Sequence, residues 1–230
     1  DNTDYLTIDT SGNVGIGTSS PADTSGTYKN LQVALGATVI GRTDDTPLYL
    51  SSNLAYNSDW KYIANTTATQ VRLDTNIKFF TAPTGTAGNT ATLSEAMRID
   101  SSGHVLVGTT DNIVQTNSGT GNGGIVLRSN NYVAVASDGS AALELNRLAS
   151  DGEIVNFRKN GSTVGTIAAN GGSIIVGSGN TGLYFDDGSD RLIPVDPASA
   201  SGRDNAVNLG GGSERFKDLY LSGGVYLGGT

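Results

Sequence analysis

His104 is the chain's single histidine, and there is no cysteine. Imidazole is a good transition-metal ligand, so three copies of His104 meeting on an axis could hold an ion. A lone histidine lacks the clustered ligands of a metal site, and the expectation is a structural or surface residue, with no metal and no cofactor. The missing cysteine excludes disulfides, thiolate metal sites and cysteine nucleophiles. Carboxylates offer a second chemistry, glycan cleavage between two facing acids. Asp44-Asp45, Asp186-Asp187 and Glu144 with Glu153 are the candidates. The Asp pairs sit in turn-like contexts, where Asp bonds its own backbone. Neighbours on a strand point to opposite faces, so no facing pair is legible and no catalytic residue is assigned. Gly15-Ile-Gly17 has neither the following helix nor the Gly-Lys-Ser/Thr of a nucleotide loop. Tyr56, Trp60 and Tyr62 are the binding candidates, because aromatic faces stack on sugars and are frequent in hot spots. Trp60 and Tyr62 share a strand face, which suits equally the core of a small bulge.

The elements that position these residues are announced by a repeat. Leu6-Thr-Ile-Asp-Thr-Ser-Gly-Asn-Val-Gly-Ile-Gly-Thr18 recurs as Met97-Arg-Ile-Asp-Ser-Ser-Gly-His-Val-Leu-Val-Gly-Thr109. Each copy is a stretch of alternating apolar residues, then Asp-(Ser/Thr)-Ser-Gly, then alternation again. That pattern predicts a hairpin whose turn glycine takes positive φ. Ile8, Val14 and Ile16 form its apolar parity. A hairpin cannot bury an apolar face alone, so repeated hairpins predict an extended β assembly.

Composition points the same way. The chain has 230 residues, 37% of them apolar, and 32 glycines. So few large side chains leave a compact monomer short of core. With only 16% charged residues and alternation to the end, disorder is disfavoured, and the expectation is a core shared with other copies of the chain. A net charge of −8 argues against nucleic-acid binding, which needs a basic stripe. No apolar run approaches the roughly 20 residues of a membrane helix, so no membrane insertion is expected. Asp1-Asn2-Thr3-Asp4 carries no basic leader and reads as a boundary inside a longer chain.

Four regions follow. Residues 1–30 hold the first hairpin repeat and a linker. Residues 31–110 form an aromatic-containing β module that ends in the second repeat, with a polar loop at Thr81–Thr92 and at most a helical turn near Ser94–Ala96. Residues 111–124 are a Gly/Ser/Asn-rich joint or polar stalk. Residues 125–230 are a C-terminal β region. Asn160-Gly161, Asn170-Gly-Gly172 and Gly179-Asn-Thr-Gly182 are its hairpin turns. Ala142–Leu145 is a further strand. The last strands run from Arg215 to the chain's end, where Leu219, Leu221, Val225 and Leu227 alternate with Tyr220 and Tyr226. Strands this short with turns this frequent predict an all-β fold.

Met97–Thr109 resembles the "MRIDSSGNVGIGTSSP" phrase of tail-fibre proteins of tailed bacteriophages, and residues 8–21 match its second half. Trp60–Asn65 and Ala82–Asn89 resemble the segment before that phrase in those fibres. Asp204–Gly210 and Arg215–Gly223 resemble the stretch near their C-terminal end. The phrases fall in the same order and cover most of the chain. The resemblance implies an elongated, intertwined homotrimeric fibre of short hairpins and small β modules, located on the virion. It implies contact with other phage tail proteins and host attachment through a bacterial surface glycan or outer-membrane receptor. A self-cleaving intramolecular chaperone often follows the "RFKDLYLSGG" segment in such fibres. Fibres that hold axial metal use His-x-His pairs, which this chain lacks. Two alternatives stand beside the adhesive fibre: a tailspike polysaccharide depolymerase and a secreted β-solenoid adhesin.

Overall fold

The computed structural model describes residues 6–22, 28–34, 36–42, 47–226 and 228. Asp44 and Asp45, Leu35 and Leu227 lie outside the described residues. The chain is all-β, and its two compact units divide between Leu143 and Glu144.

The first unit is one 11-stranded sheet with a two-stranded excursion. Leu6–Ile8 (β1) and Val14–Ile16 (β2) are the hairpin of the first repeat. Tyr28–Val33 (β3) joins β2 in parallel. Ala37–Arg42 (β4) and Leu48–Ser52 (β5) follow antiparallel. Leu54–Asn57 (β6) and Asp59–Tyr62 (β7) then leave the sheet as a separate hairpin. Ala68–Leu73 (β8) returns beside β5, and Ile77–Ala82 (β9) pairs with it. Ser94–Ile99 (β10) and Val105–Val107 (β11) are the second repeat. Gly124–Leu127 (β12) and Val133–Ala136 (β13) complete the sheet.

Several expectations change here. Ser94–Ala96 is not a helical turn but the start of β10, because β9 offers it a ladder and a bulge between Glu95 and Met97 absorbs the register. Residues 111–124 are not a joint between modules. They form a long connection within one sheet, between the antiparallel neighbours β11 and β12, and bury Val114 against Leu106, Val126 and Ala134. Pairing of β2 with β3 likewise runs across the expected division at residue 30.

Register makes the sheet's two faces very different. One row of side chains starts Ile8–Val14–Leu31–Val39. It continues Leu50–Val71–Phe79 and ends Met97–Val107–Ile125–Val135. Every strand of the sheet contributes one apolar residue. Yet this face is open: Ile8 is 67% exposed, Leu50 42% and Ile125 42%. The opposite face is covered although it is the more polar one. Asn30, Gln32, Thr38, Ser51 and Gln70 are buried there with Ile40 and Tyr49. Their hydrogen bonds run inward: Gln32 donates to the Ala34 carbonyl, Thr38 to the Leu54 carbonyl, and Gln70 to the Ser51 hydroxyl. An exposed aliphatic face beside a buried polar one inverts the usual order, and the aliphatic face is the one that requires explanation.

Charges near the β8–β9 turn lie on the covered side. Asp74 Oδ2 meets Arg72 Nε at 2.6 Å and Lys78 Nζ at 3.1 Å, and its Oδ1 accepts the Asn76 N–H. Burial raises the Asp74 carboxyl, but the Asn76 N–H and the Lys78 and Arg72 cations outweigh it and hold the group below its usual value. A carboxyl depressed on folding adds stability above its unfolded pKa, and that stability is lost as pH falls through the folded value. Asp74→Asn is therefore expected to cost about 1 kcal/mol at neutral pH. The difference should shrink as pH falls below the ordinary carboxylate range, which urea midpoints at neutral and acid pH would check.

The second unit is a five-stranded meander, Gly152–Lys159 (β14), Ser162–Asn170 (β15), Ser173–Ser178 (β16), Thr181–Asp186 (β17) and Arg191–Val195 (β18). Asn160 and Gly161 both take positive φ, as a two-residue turn of this kind demands. On its covered face Ala168, Ile175 and Val195 pack together. Pro197 sits on Gly177 and Gly182, where a Cβ on Gly177 would lie 2.1 Å from the proline ring. Its other face repeats the pattern of the first unit: Ile174, Val176, Leu183 and Leu192 are aliphatic and open.

Two expected strands are absent. Ala142–Leu145 has no ladder, and Leu143 is 70% exposed. Arg215–Tyr226 forms no strand, with Tyr220 89% exposed and Tyr226 98%. Both have strand-like composition, but a strand exists only where a neighbour supplies the hydrogen bonds, and a single chain offers neither segment one.

Candidate functional site: an aromatic platform on the covered face

The β6–β7 hairpin folds over the polar face of the sheet, and Asn53 fixes its base. At φ 60° Asn53 ends β5 in the left-handed region that asparagine tolerates. Its amide nitrogen donates to the carbonyls of Ala64, Thr66 and Thr67, and its amide oxygen accepts the Ala64 N–H. Both ends of the excursion are thereby held at one point.

The hairpin lays Tyr56 and Trp60 on Tyr28 of β3 and Tyr49 of β5. Tyr28 and Tyr56 stack with centroids 3.8 Å apart. Tyr49 and Trp60 lie 4.9 Å apart, and Tyr56 meets Trp60 edge-on at 5.3 Å. Arg42 donates to the Tyr28 hydroxyl at 2.7 Å with its guanidinium 4.7 Å from that ring, and Arg72 lies over Tyr49. Burial and the hydrogen bond with Tyr28 push the Tyr56 hydroxyl above its usual value, so it stays neutral and able to donate. The result is a four-ring cluster flanked by two guanidinium groups. Tyr56 and Trp60 are half-buried, leaving part of each side chain accessible at the edge of the cluster.

Tyr62 belongs elsewhere. It is buried with Leu54, Ala68, Ala82 and Ala91, and its hydroxyl donates to the Pro83 carbonyl at 2.7 Å. Gly85 presses on the ring so closely that a Cβ would lie 2.1 Å from it. The loop after β9 is strapped along the free edge of β7, through Tyr62 N–H to Asn89, Gly88 N–H to Tyr62 and Ala91 N–H to Trp60. Of the three aromatic candidates, the structure thus joins Tyr56 and Trp60 in one platform and places Tyr62 in the core beneath the loop. Tyr28, Tyr49, Arg42 and Arg72 were missed in the sequence. The available signal was parity: Tyr28 and Tyr49 occupy the strand positions opposite to the aliphatic ones.

His104 is buried at the turn of the second repeat. Asp100 Oδ1 accepts the N–H groups of Ser102 and His104 there, as Asp9 Oδ1 accepts those of Ser11 and Asn13 in the first. Gly12 and Gly103 take φ of 83° and 78°. The exchange of Asn13 for His104 in this turn preserves a role. His104 Nδ1 accepts the Ser129 N–H at 3.1 Å, and Asn13 Oδ1 accepts the Asn30 N–H at 3.3 Å. Each side chain latches its hairpin turn to the backbone of the next element. His104→Asn is therefore expected to unfold within about 0.5 kcal/mol of the parent, whereas His104→Ala loses about 1 kcal/mol. Equal losses in denaturant titrations would refute the shared role.

Among the described carboxylate candidates each has its own setting. Asp186 pairs with Arg191 at 2.8 Å, Glu153 accepts the Asn156 amide, and Glu144 is exposed. Among the described residues no three His, Cys, Asp or Glu converge as metal ligands, and no helix is long and apolar enough to cross a membrane. Comparison with known proteins finds no matching family model, no matching curated protein and no matching solved structure.

Proposed function

We propose that this chain is a segment of a homotrimeric phage tail fibre that serves structural reach and host attachment, without catalysis, on the virion. The aliphatic face of the sheet, open in a single chain, carries the reading. Burying it against sister chains supplies the core that the composition lacks. The open face supports an assembly of several copies; the number three comes from the resemblance to tail fibres. In such an assembly the aromatic platform stays outside, because it lies on the opposite face of the sheet, where it can meet a bacterial surface glycan or outer-membrane receptor.

Light scattering on the native chain tests the assembly. A mass near 70 kDa, three times the chain mass, is expected. A monomer that unfolds cooperatively would overturn it. Attachment is tested by binding of the purified fibre to host cells, with loss expected for Trp60→Ala at unchanged mass. Release of sugar fragments from host glycans would instead favour a depolymerase.

A further inference from the structure

The open face of the second unit forms a groove of about 500 Å³ between Val176, Leu183, Leu192 and Pro194 on one side and Val207 and Leu209 on the other. The chain walls this groove and then leaves it. At Gly210 (φ 87°) it turns, with Gly211 N–H bonded to the Glu214 carbonyl, and a Cβ on Gly210 would lie 2.9 Å from that carbonyl oxygen. Beyond the turn come Phe216, Leu219 and Leu221, which are 67%, 68% and 54% exposed. An apolar groove without an occupant and an apolar, strand-like segment without a partner thus lie in the same unit, joined by the glycine-rich stretch 210–213.

We infer that residues 216–221 of one copy dock in the groove on the β16–β18 face of a second copy. The inference rests on the shared-core reading above. Six linker residues, 210–215, extend at most about 20 Å, enough to reach an adjacent chain and too few to reach a distant one. An element held by a short glycine-rich connection, with its docking surface repeated on every copy, can exchange between copies at little cost. Period-2 alternation fits the segment to the groove. Leu219 and Leu221 share one side of an extended segment and enter it, while Tyr220 points away. The docking also accounts for a segment of strand composition that forms no strand in the isolated chain.

Because the chain has no cysteine, thiol bridging tests this directly. Leu183→Cys and Leu219→Cys leave the buried core of a single chain intact, since both residues are exposed. Chains carrying one substitution each are co-assembled, treated with a flexible bismaleimide and digested. A two-chain product whose bridged peptides join positions 183 and 219 is expected. Amide exchange in residues 216–221 of the unmodified assembly should be slowed at least about a hundredfold relative to a free peptide. A multimer in which 216–221 exchange freely overturns this inference and leaves the shared core standing. So does bridging only inside single chains of the doubly substituted protein. A monomeric mass overturns both.

Discussion

Ile125→Asp is expected to convert the native assembly into folded single chains. Ile125 stands near the end of the apolar row that crosses the sheet, paired with Val107 and Val135, and is 42% exposed in one chain. Within that chain a carboxylate there reaches water, so the cost stays below about 1 kcal/mol. Inside a shared core it would be enclosed by aliphatic side chains of a sister copy, and an unpaired buried charge costs several kcal/mol. Each 1.4 kcal/mol is tenfold in association, so assembly should weaken by more than about a thousandfold. Light scattering should read close to 23.5 kDa while circular dichroism still reports β structure. Asn57→Asp, at the exposed end of the β6–β7 hairpin, is the control and should leave the mass unchanged. If Ile125→Asp keeps the full mass, the aliphatic face is not where copies meet.

Tyr62→Ala should destabilise the first unit by about 3–4 kcal/mol, the cost of emptying a buried aromatic site. The ring is enclosed by Leu54, Ala68, Ala82 and Ala91, with Gly85 against it, so little can move in to fill the space. Tyr62→Phe retains the ring and gives up only the hydrogen bond to Pro83, about 1 kcal/mol. Tyr56→Ala is expected to fall between them, near 2 kcal/mol, because the ring is half-buried but stacked on Tyr28. Urea titrations of the three variants rank these losses. A Tyr62→Ala cost under 1 kcal/mol would contradict its place in the core. The same series separates folding from attachment. Loss of host-cell binding in Tyr62→Ala should track the unfolded fraction, whereas Trp60→Ala should lose binding while still folded.

What could be read in advance was local. The turn at Asn160-Gly161 and the Asp-x-Ser-Gly turns of both repeats follow from φ preferences and short-range hydrogen bonds, and they form where expected. The aromatic block was recognisable, but its partition was not. Tyr62 and Trp60 share a strand parity, yet one is sealed by a loop that follows twenty residues later and the other meets rings from β3 and β5. Nothing in residues 56–62 specifies those partners.

The sequence by itself determined that the chain is all-β, where many of its turns fall, and which residues share a face. Only the tertiary structure decided which face is covered, how β2 and β3 come together in parallel, and that residues 111–124 link neighbouring strands of one sheet. It also left Ala142–Leu145 and Arg215–Tyr226 without ladders despite their composition. The reason is physical. Alternation specifies two faces but not which one is inside, because burial depends on what arrives from elsewhere in the chain. Here the hairpin and loops arrive on the polar side and meet its hydrogen-bonding groups, leaving the aliphatic side open.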